Sequence, residues 1–234
     1  MPAKRKYSVS KRTASKPPLK RRRAIRTYSG ATSSKVPLSM DHQLLRTRQN
    51  CVLRYHETFS LNPTIGGVPA LFSFRSNSCF DPNFTGIGHQ PRGYDQIMSM
   101  YQYLSVREAQ IEIWFTTSDG APVIVGIQAD GTVPTSGFTR NSLIEGRTAV
   151  YKAAGGISSS GPGYVTLRVK PWELAATTIT ETDYKHLVAG NPVVTQFFNV
   201  GGMPLEATDS GEIQCVARIT YHCQVTEPIQ PAAS

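Results

Sequence analysis

The clearest order in the chain is an alternation of apolar and polar positions with period two. In GEIQCVARITYHCQVTE (211–227), Ile213, Cys215, Ala217, Ile219, Tyr221, Cys223 and Val225 share one face, while Gln214, Arg218, Thr220, His222, Gln224 and Thr226 share the other. Successive strand side chains point to opposite sides, so this pattern predicts a long strand with one buried face. LSVREAQIEIWFTT (104–117) repeats it, with Ala109, Ile111, Ile113 and Phe115 alternating with Glu108, Gln110 and Glu112. Asp119 and Gly120 follow, a pair that tolerates positive φ and predicts a hairpin turn, with Ala121 to Gln128 as the returning strand. Cys51 to Ser60, Val68 to Arg75, Tyr164 to Lys170 and Val193 to Val200 are rich in β-branched and aromatic residues and predict further strands, with a short one around Thr148 to Lys152. Helical spacing occurs in two places only: Tyr94 to Leu104, where Ile97, Met98, Tyr101 and Leu104 fall on one side, and a turn or two within Trp172 to Val188.

About eight antiparallel strands without βαβ alternation predict an all-β fold. The expected architecture is an eight-stranded antiparallel jelly-roll sandwich with long loops. An immunoglobulin-like sandwich fits less well, because the loops are long and no Cys…Trp…Cys pattern is present. No internal repeat suggests a propeller or solenoid.

Charge divides the 234 residues sharply. Residues 1–40 hold twelve basic side chains: Lys4, Arg5, Lys6, Lys11, Arg12, Lys16, Lys20, Arg21, Arg22, Arg23, Arg26 and Lys35. The first acidic residue is Asp41, and 41–234 carry thirteen basic against sixteen acidic residues, a net −3. Sparse apolar residues, self-repulsion and the Pro17–Pro18 pair predict a disordered Lys/Arg-rich arm over 1–40, followed by one domain over 41–234. A flexible polycation suits a polyanion, because each phosphate it neutralises releases counterions without reading sequence. Lys11, Arg12 and Lys20 to Arg23 also have the form of a loosely bipartite nuclear import signal. A basic-tailed ribosomal or chromatin protein is a rival, but such proteins keep positive charge on the folded part as well. A nuclear-targeted carbohydrate-binding sandwich is another.

The string G-H-Q-P-R-G-Y-D-Q (88–96), preceded by Phe80-Asp81-Pro82-Asn83-Phe84-Thr85-Gly86-Ile87 and followed by Tyr101-x-Tyr103-x-x-Val106, resembles capsid proteins of circular, replication-initiator-encoding single-stranded DNA viruses, the circovirus-like group. That resemblance covers most of the chain. It implies a coat protein that self-assembles into a small icosahedral shell, typically of sixty jelly-roll subunits, with the arm turned toward the genome. Sixty arms would bring about 720 positive charges, suited to single-stranded DNA on the order of one to two thousand nucleotides. It further implies location in the virion and, during assembly, the host nucleus. The implied partners are a nuclear import receptor and an unidentified cell-surface receptor, the latter met by loops such as Thr132 to Gly146 or Ala153 to Gly163. No membrane insertion is expected, since no apolar run approaches the roughly 18 residues a spanning helix needs.

Within the body, Arg46, Arg48 and Arg54 are candidates to join the arm in binding nucleic acid, with Tyr55 and His56 as stacking surface; salt bridges to carboxylates are the plain alternative. His89, Gln90, Pro91, Arg92, Tyr94 and Trp114 are candidates for subunit contact, against ordinary loop turns for the first five and a core role for Trp114. Enzyme signatures are missing: the five histidines show no metal spacing, and no G-x-S-x-G elbow or P-loop occurs, so neither catalysis, cofactor nor metal is expected. Cys79 and His89 read better as a buried thiol and a hydrogen-bonded imidazole than as a catalytic pair. Asn83-Phe84-Thr85 matches a glycosylation acceptor, but no secretory signal is recognisable ahead of it. The four cysteines (Cys51, Cys79, Cys215 and Cys223) are scattered, which argues against a stapled miniprotein or a zinc cluster. Cys215 and Cys223 would lie over about 20 Å apart on one strand face, too far for a disulfide.

Overall fold

The computed structural model describes residues 45–66, 68–117, 121–135, 138–154, 162–174, 181–206 and 211–229. The basic segment 1–40, the turn at Asp119 and Gly120, and most of the 153–163 loop lie outside the described residues. The strands are β1 (Arg48–Leu61), β2 (Ala70–Arg75), β3 (Tyr101–Thr117), β4 (Val123–Asp130), β5 (Ala149–Ala154), β6 (Gly163–Val169), β7 (Lys185–His186), β8 (Phe197–Pro204) and β9 (Ile213–Pro228). They form two antiparallel sheets, ordered β1-β9-β3-β6 with β7 on β3, and β2-β8-β4-β5. First pairs with last and second with second-last, and the chain crosses between sheets at almost every connection. This is a jelly roll.

Alternation places the core on the faces of β9 and β3 that the sequence suggests. The face of β9 from Ile213 to Val225 is buried, and it meets the buried face of β1 (Leu53, Tyr55, Phe59, Leu61) and of β3 (Ala109, Ile111, Ile113, Phe115). From the opposite sheet Phe72 and Phe74 reach across to Phe59, with ring centroids 4.5 and 5.5 Å away. Each fully buried side chain of this size contributes about 2 kcal/mol from removal of apolar surface.

Three expectations need correction. No hairpin joins β3 to β4: β3 pairs β9, β6 and β7, whereas β4 pairs β5 and β8, so the connection changes sheets. The helical stretch from Tyr94 is α1 (Tyr94–Met98), a single turn, because Tyr101 already pairs with Pro228 in the β3–β9 ladder. A strand begins at Phe197 rather than Val193, since Gln196 and Val194 are held by the side chain of Asn77 instead of by a ladder. The register of β3 also shifts at Val106/Glu108, where Arg107 is the extra residue. That bulge carries the buried positions from even (Leu104, Val106) to odd (Ala109 onward).

The cysteines, scattered in sequence, largely converge. Cys51 faces Cys223 across the β1–β9 ladder, and Cys79 Sγ lies 3.6 Å from Cys223 Sγ. All four are free thiols, and burial pushes Cys215 up to about 12. Among the described residues no group of three His, Cys, Asp or Glu could hold a metal ion. No helix there is long and apolar enough to cross a membrane.

The two sheets differ on their outer faces. Over the smaller one folds the β4–β5 connection, where α2 (Arg140–Glu145) starts at a capping box of Thr139 and Ser142. Its Leu143 is fully buried with Ile124 and Met203, and Phe138 packs beside them. That packing needs glycine beneath it: a Cβ on Gly126 would lie 2.8 Å from Leu143, and one on Gly201 2.6 Å from Phe138. The 132–146 loop is therefore partly a lid on its own sheet. Gly126→Ala should cost about 1–3 kcal/mol through this clash, read as a lower urea midpoint, and an unchanged midpoint would show that the insert does not pack there.

Candidate functional site

The 80–96 loop is tied down by an ionic and amide knot. The Arg75 guanidinium donates to the Asp81 carboxylate (2.7 Å), the Asp81 carbonyl (2.8 Å) and the Asn83 carbonyl (2.9 Å), and lies 5.4 Å over the Phe84 ring. Asn83 accepts from the Thr85 backbone and hydroxyl and donates to Glu57 at 2.9 Å. The Tyr55 hydroxyl also donates to Glu57, and its burial, with that carboxylate, raises the phenol pKa. Gly88 must be glycine, since a Cβ would sit 2.6 Å from the Tyr55 hydroxyl oxygen. Gly93, at φ +89°, turns the chain into α1.

This knot decides which candidate residues face outward. His89 is exposed but held at both ring nitrogens, Nδ1 2.8 Å from the Gln90 carbonyl oxygen and Nε2 2.9 Å from that of His56. Arg92 is exposed and Gln90 half-buried. Pro91 and Tyr94, expected at a subunit contact, are buried in their own chain. The Tyr94 hydroxyl donates to the Val188 carbonyl at 3.1 Å, and its ring lies nearly parallel to that of His186. Tyr55, expected as stacking surface, likewise points inward, because odd positions of β1 face the core. Cys79 is buried against Cys223, apart from the contacts that hold His89.

Arg46, Arg48, Arg54 and His56 are exposed. The last three occupy even positions of β1 and so share the outer face of the larger sheet. Register places Arg54 in one row with Thr220, Gln110 and Arg168. The next rows are His56, Arg218, Glu112 and Thr166, then Thr58, Val216, Trp114 and Tyr164. Trp114 is thus outside the core, half-buried, with its ring centroid 5.4 Å from Tyr164 and 5.2 Å from the Arg218 guanidinium. Glu112 holds Arg218 by two bonds, 2.8 Å to Nε and 2.9 Å to Nη2, and accepts from the Tyr164 hydroxyl at 3.0 Å. The Arg218 bond holds the Glu112 carboxyl below its usual pKa range, against the opposing effect of burial. Glu108 pairs with Arg168, and Arg107 donates to Gln224 at 2.6 Å.

No family model and no curated protein matches the chain. Solved structures do. The BFDV capsid protein, solved as a 60-mer, is similar over 81% of this chain and 100% of its own, at 12% identity and a TM-score of 0.48. The nodavirus of the giant freshwater prawn Macrobrachium rosenbergii, as a semi-empty virus-like particle, matches over 81% and 100%, at 8% identity and a TM-score of 0.45. Desmodium yellow mottle tymovirus matches over 80% and 93%, at 15% identity and a TM-score of 0.37.

Sequence reasoning reached Arg46, Arg48, Arg54, His89 and Arg92 as accessible positions and Arg218 as an outward one, favoured a core role for Trp114, and missed Arg107, Arg168 and Tyr164. Their signal was present, as polar positions interleaved with core ones, but only the strand register brings them onto one surface. The eleven arm residues named as nucleic-acid binders, Lys4 to Arg26, lie outside the described residues, as do the import-signal positions among them.

His186 provides a test of the loop's anchorage. Burial pushes its pKa down to about 4 from 6.5, against weak support from the Leu187 and Gly190 carbonyls. Above about pH 6.5 the ring is neutral folded or unfolded; below it the unfolded chain takes up the proton first, so stability falls from pH 6.5 toward 4. His186→Phe, which keeps a ring against Tyr94, should flatten the stability–pH curve in that window. An identical slope in wild type and variant would place the acid sensitivity elsewhere.

Proposed function

We propose that the chain is a viral capsid protein that assembles with copies of itself into a closed icosahedral shell, about sixty subunits in the simplest case, and packages single-stranded DNA. The observation that carries this reading is the pairing of two unlike parts: a jelly-roll body of net −3, and ahead of it forty residues with twelve basic side chains and no acidic one. A rigid body that closes by repetition needs no charge of its own, whereas a genome must be neutralised at many points without regard to sequence. The 80–96 motif, which resembles the circovirus-like capsids, supports the same reading. Arg46, Arg48 and Arg54 continue the basic series into the body, and His89, Gln90 and Arg92 remain as candidate subunit contacts. Lys11, Arg12 and Lys20 to Arg23 would serve import into the host nucleus through an import receptor before assembly, and a cell-surface receptor would meet the outer loops of the finished virion.

Negative-stain microscopy of the purified chain should show uniform spheres, hollow or filled. Monomers at every salt and pH would overturn the assembly. For packaging, replacing Lys20 to Arg23 with Ala should lower the slope of log affinity against log salt for single-stranded DNA by about three, with the circular dichroism of the body unchanged. An unaltered slope would remove those four residues from the interface.

A further inference from the structure

The two sheets present unequal surfaces. The outer face of β2-β8-β4-β5 is roofed by Phe138 and Leu143, whereas that of β1-β9-β3-β6 carries exposed Val52, Arg54, Tyr164 and Val216 with no described segment packed over its centre. We propose that this open face is a second nucleic-acid contact, distinct from the basic segment: a track on which single-stranded DNA stacks its bases at the Trp114–Tyr164 end and lays its phosphates toward Arg54 and Arg107. The inference rests on the reading that the protein packages single-stranded DNA.

Three features of the face fit this occupant. The first is charge: Arg54, Arg107, Arg168 and Arg218 outnumber Glu108 and Glu112, although the body as a whole is net negative. The second is an aromatic platform built for display rather than burial. Tyr164 is 41% exposed, and Trp114 beside it is flanked by a guanidinium that two bonds from Glu112 hold in place. Rings with a fixed guanidinium accept any base on their faces, which gives affinity without sequence preference. The third is extent and continuity. From Val216 to Gln224 the strand runs about 26 Å, room for roughly four nucleotides, within the range of such tracks. Its far end reaches Arg48 and Arg46, where the chain enters from the basic segment. The charge of Glu112 within this face is answered by Arg218, and the same carboxylate accepts from the Tyr164 hydroxyl.

The test uses the full chain carrying Trp172→Phe, which leaves Trp114 as the sole tryptophan. It is titrated with labelled oligothymidylate while tryptophan emission and oligonucleotide anisotropy are read together. The inference predicts saturable quenching of Trp114 in step with the anisotropy rise. It also predicts that the Lys20 to Arg23 alanine variant still quenches at higher oligonucleotide concentration. Tyr164→Ala should weaken binding about ten-fold, whereas Tyr164→Phe, which keeps the ring and loses only the Glu112 bond, should bind nearly as the parent does. An anisotropy rise with unchanged Trp114 emission would overturn the track and leave packaging by the basic segment intact. No anisotropy change at all would sink the packaging reading itself. Emission that follows protein concentration rather than DNA would make the face a contact between subunits, and the inference would fall.

Discussion

The ladder that β9 makes with β1 on one side and β3 on the other fixes the direction of every side chain in the larger sheet. Along fourteen paired positions with β1, from Ile213 to Thr226, the odd residues of β9 go to the core and the even ones from Gln214 to Gln224 to the outside. A slip of one residue would send Tyr221 and Ile219 outward and bring Arg218 and His222 into the apolar interior, so the register is strongly specified. Because β9 is the last strand and lies between the first and the third, this constraint also closes the fold, since the two ends of the body are locked to each other.

From that register follows the contrast between the faces. Outward positions of the larger sheet bring arginines of four strand segments (Arg54, Arg107, Arg168, Arg218) and two rings into one surface, though they are far apart in the chain. Outward positions of the smaller sheet are glycines at Gly126 and Gly201, whose missing side chains make room for Leu143 and Phe138. One face is filled by the chain itself. The other is left with charge and aromatic edges, a composition that suits a wet, polyanionic partner better than a dry one.

The 80–96 motif shows a different economy. Several of its residues work inward: Asp81 and Asn83 satisfy Arg75 and Glu57, Gly88 lets the loop approach Tyr55, and Tyr94 anchors α1 beneath the 186–188 segment. Such a loop holds a fixed shape without regular structure, because its buried polar groups are paired with each other rather than with water. On its outside the loop leaves His89 and Arg92 exposed, together with Phe84 to Ile87, Asp95 and Gln96.

The sequence by itself determined the all-β character, the buried faces of β9 and of β3 from Ala109 onward, and the division of charge between residues 1–40 and the rest. These properties are local: period-two alternation and charge counting need no knowledge of what lies opposite. Only the tertiary structure decided that β3 and β4 belong to different sheets, that Tyr55, Pro91 and Tyr94 point inward, that three cysteines meet, and that Arg168 and Tyr164 stand beside Arg218 and Trp114. Each of these is a relation between segments distant in the chain. A hydrophobic pattern says that a strand has a partner and a buried side, but it does not say which strand the partner is, and the rows across the sheet depend on nothing else.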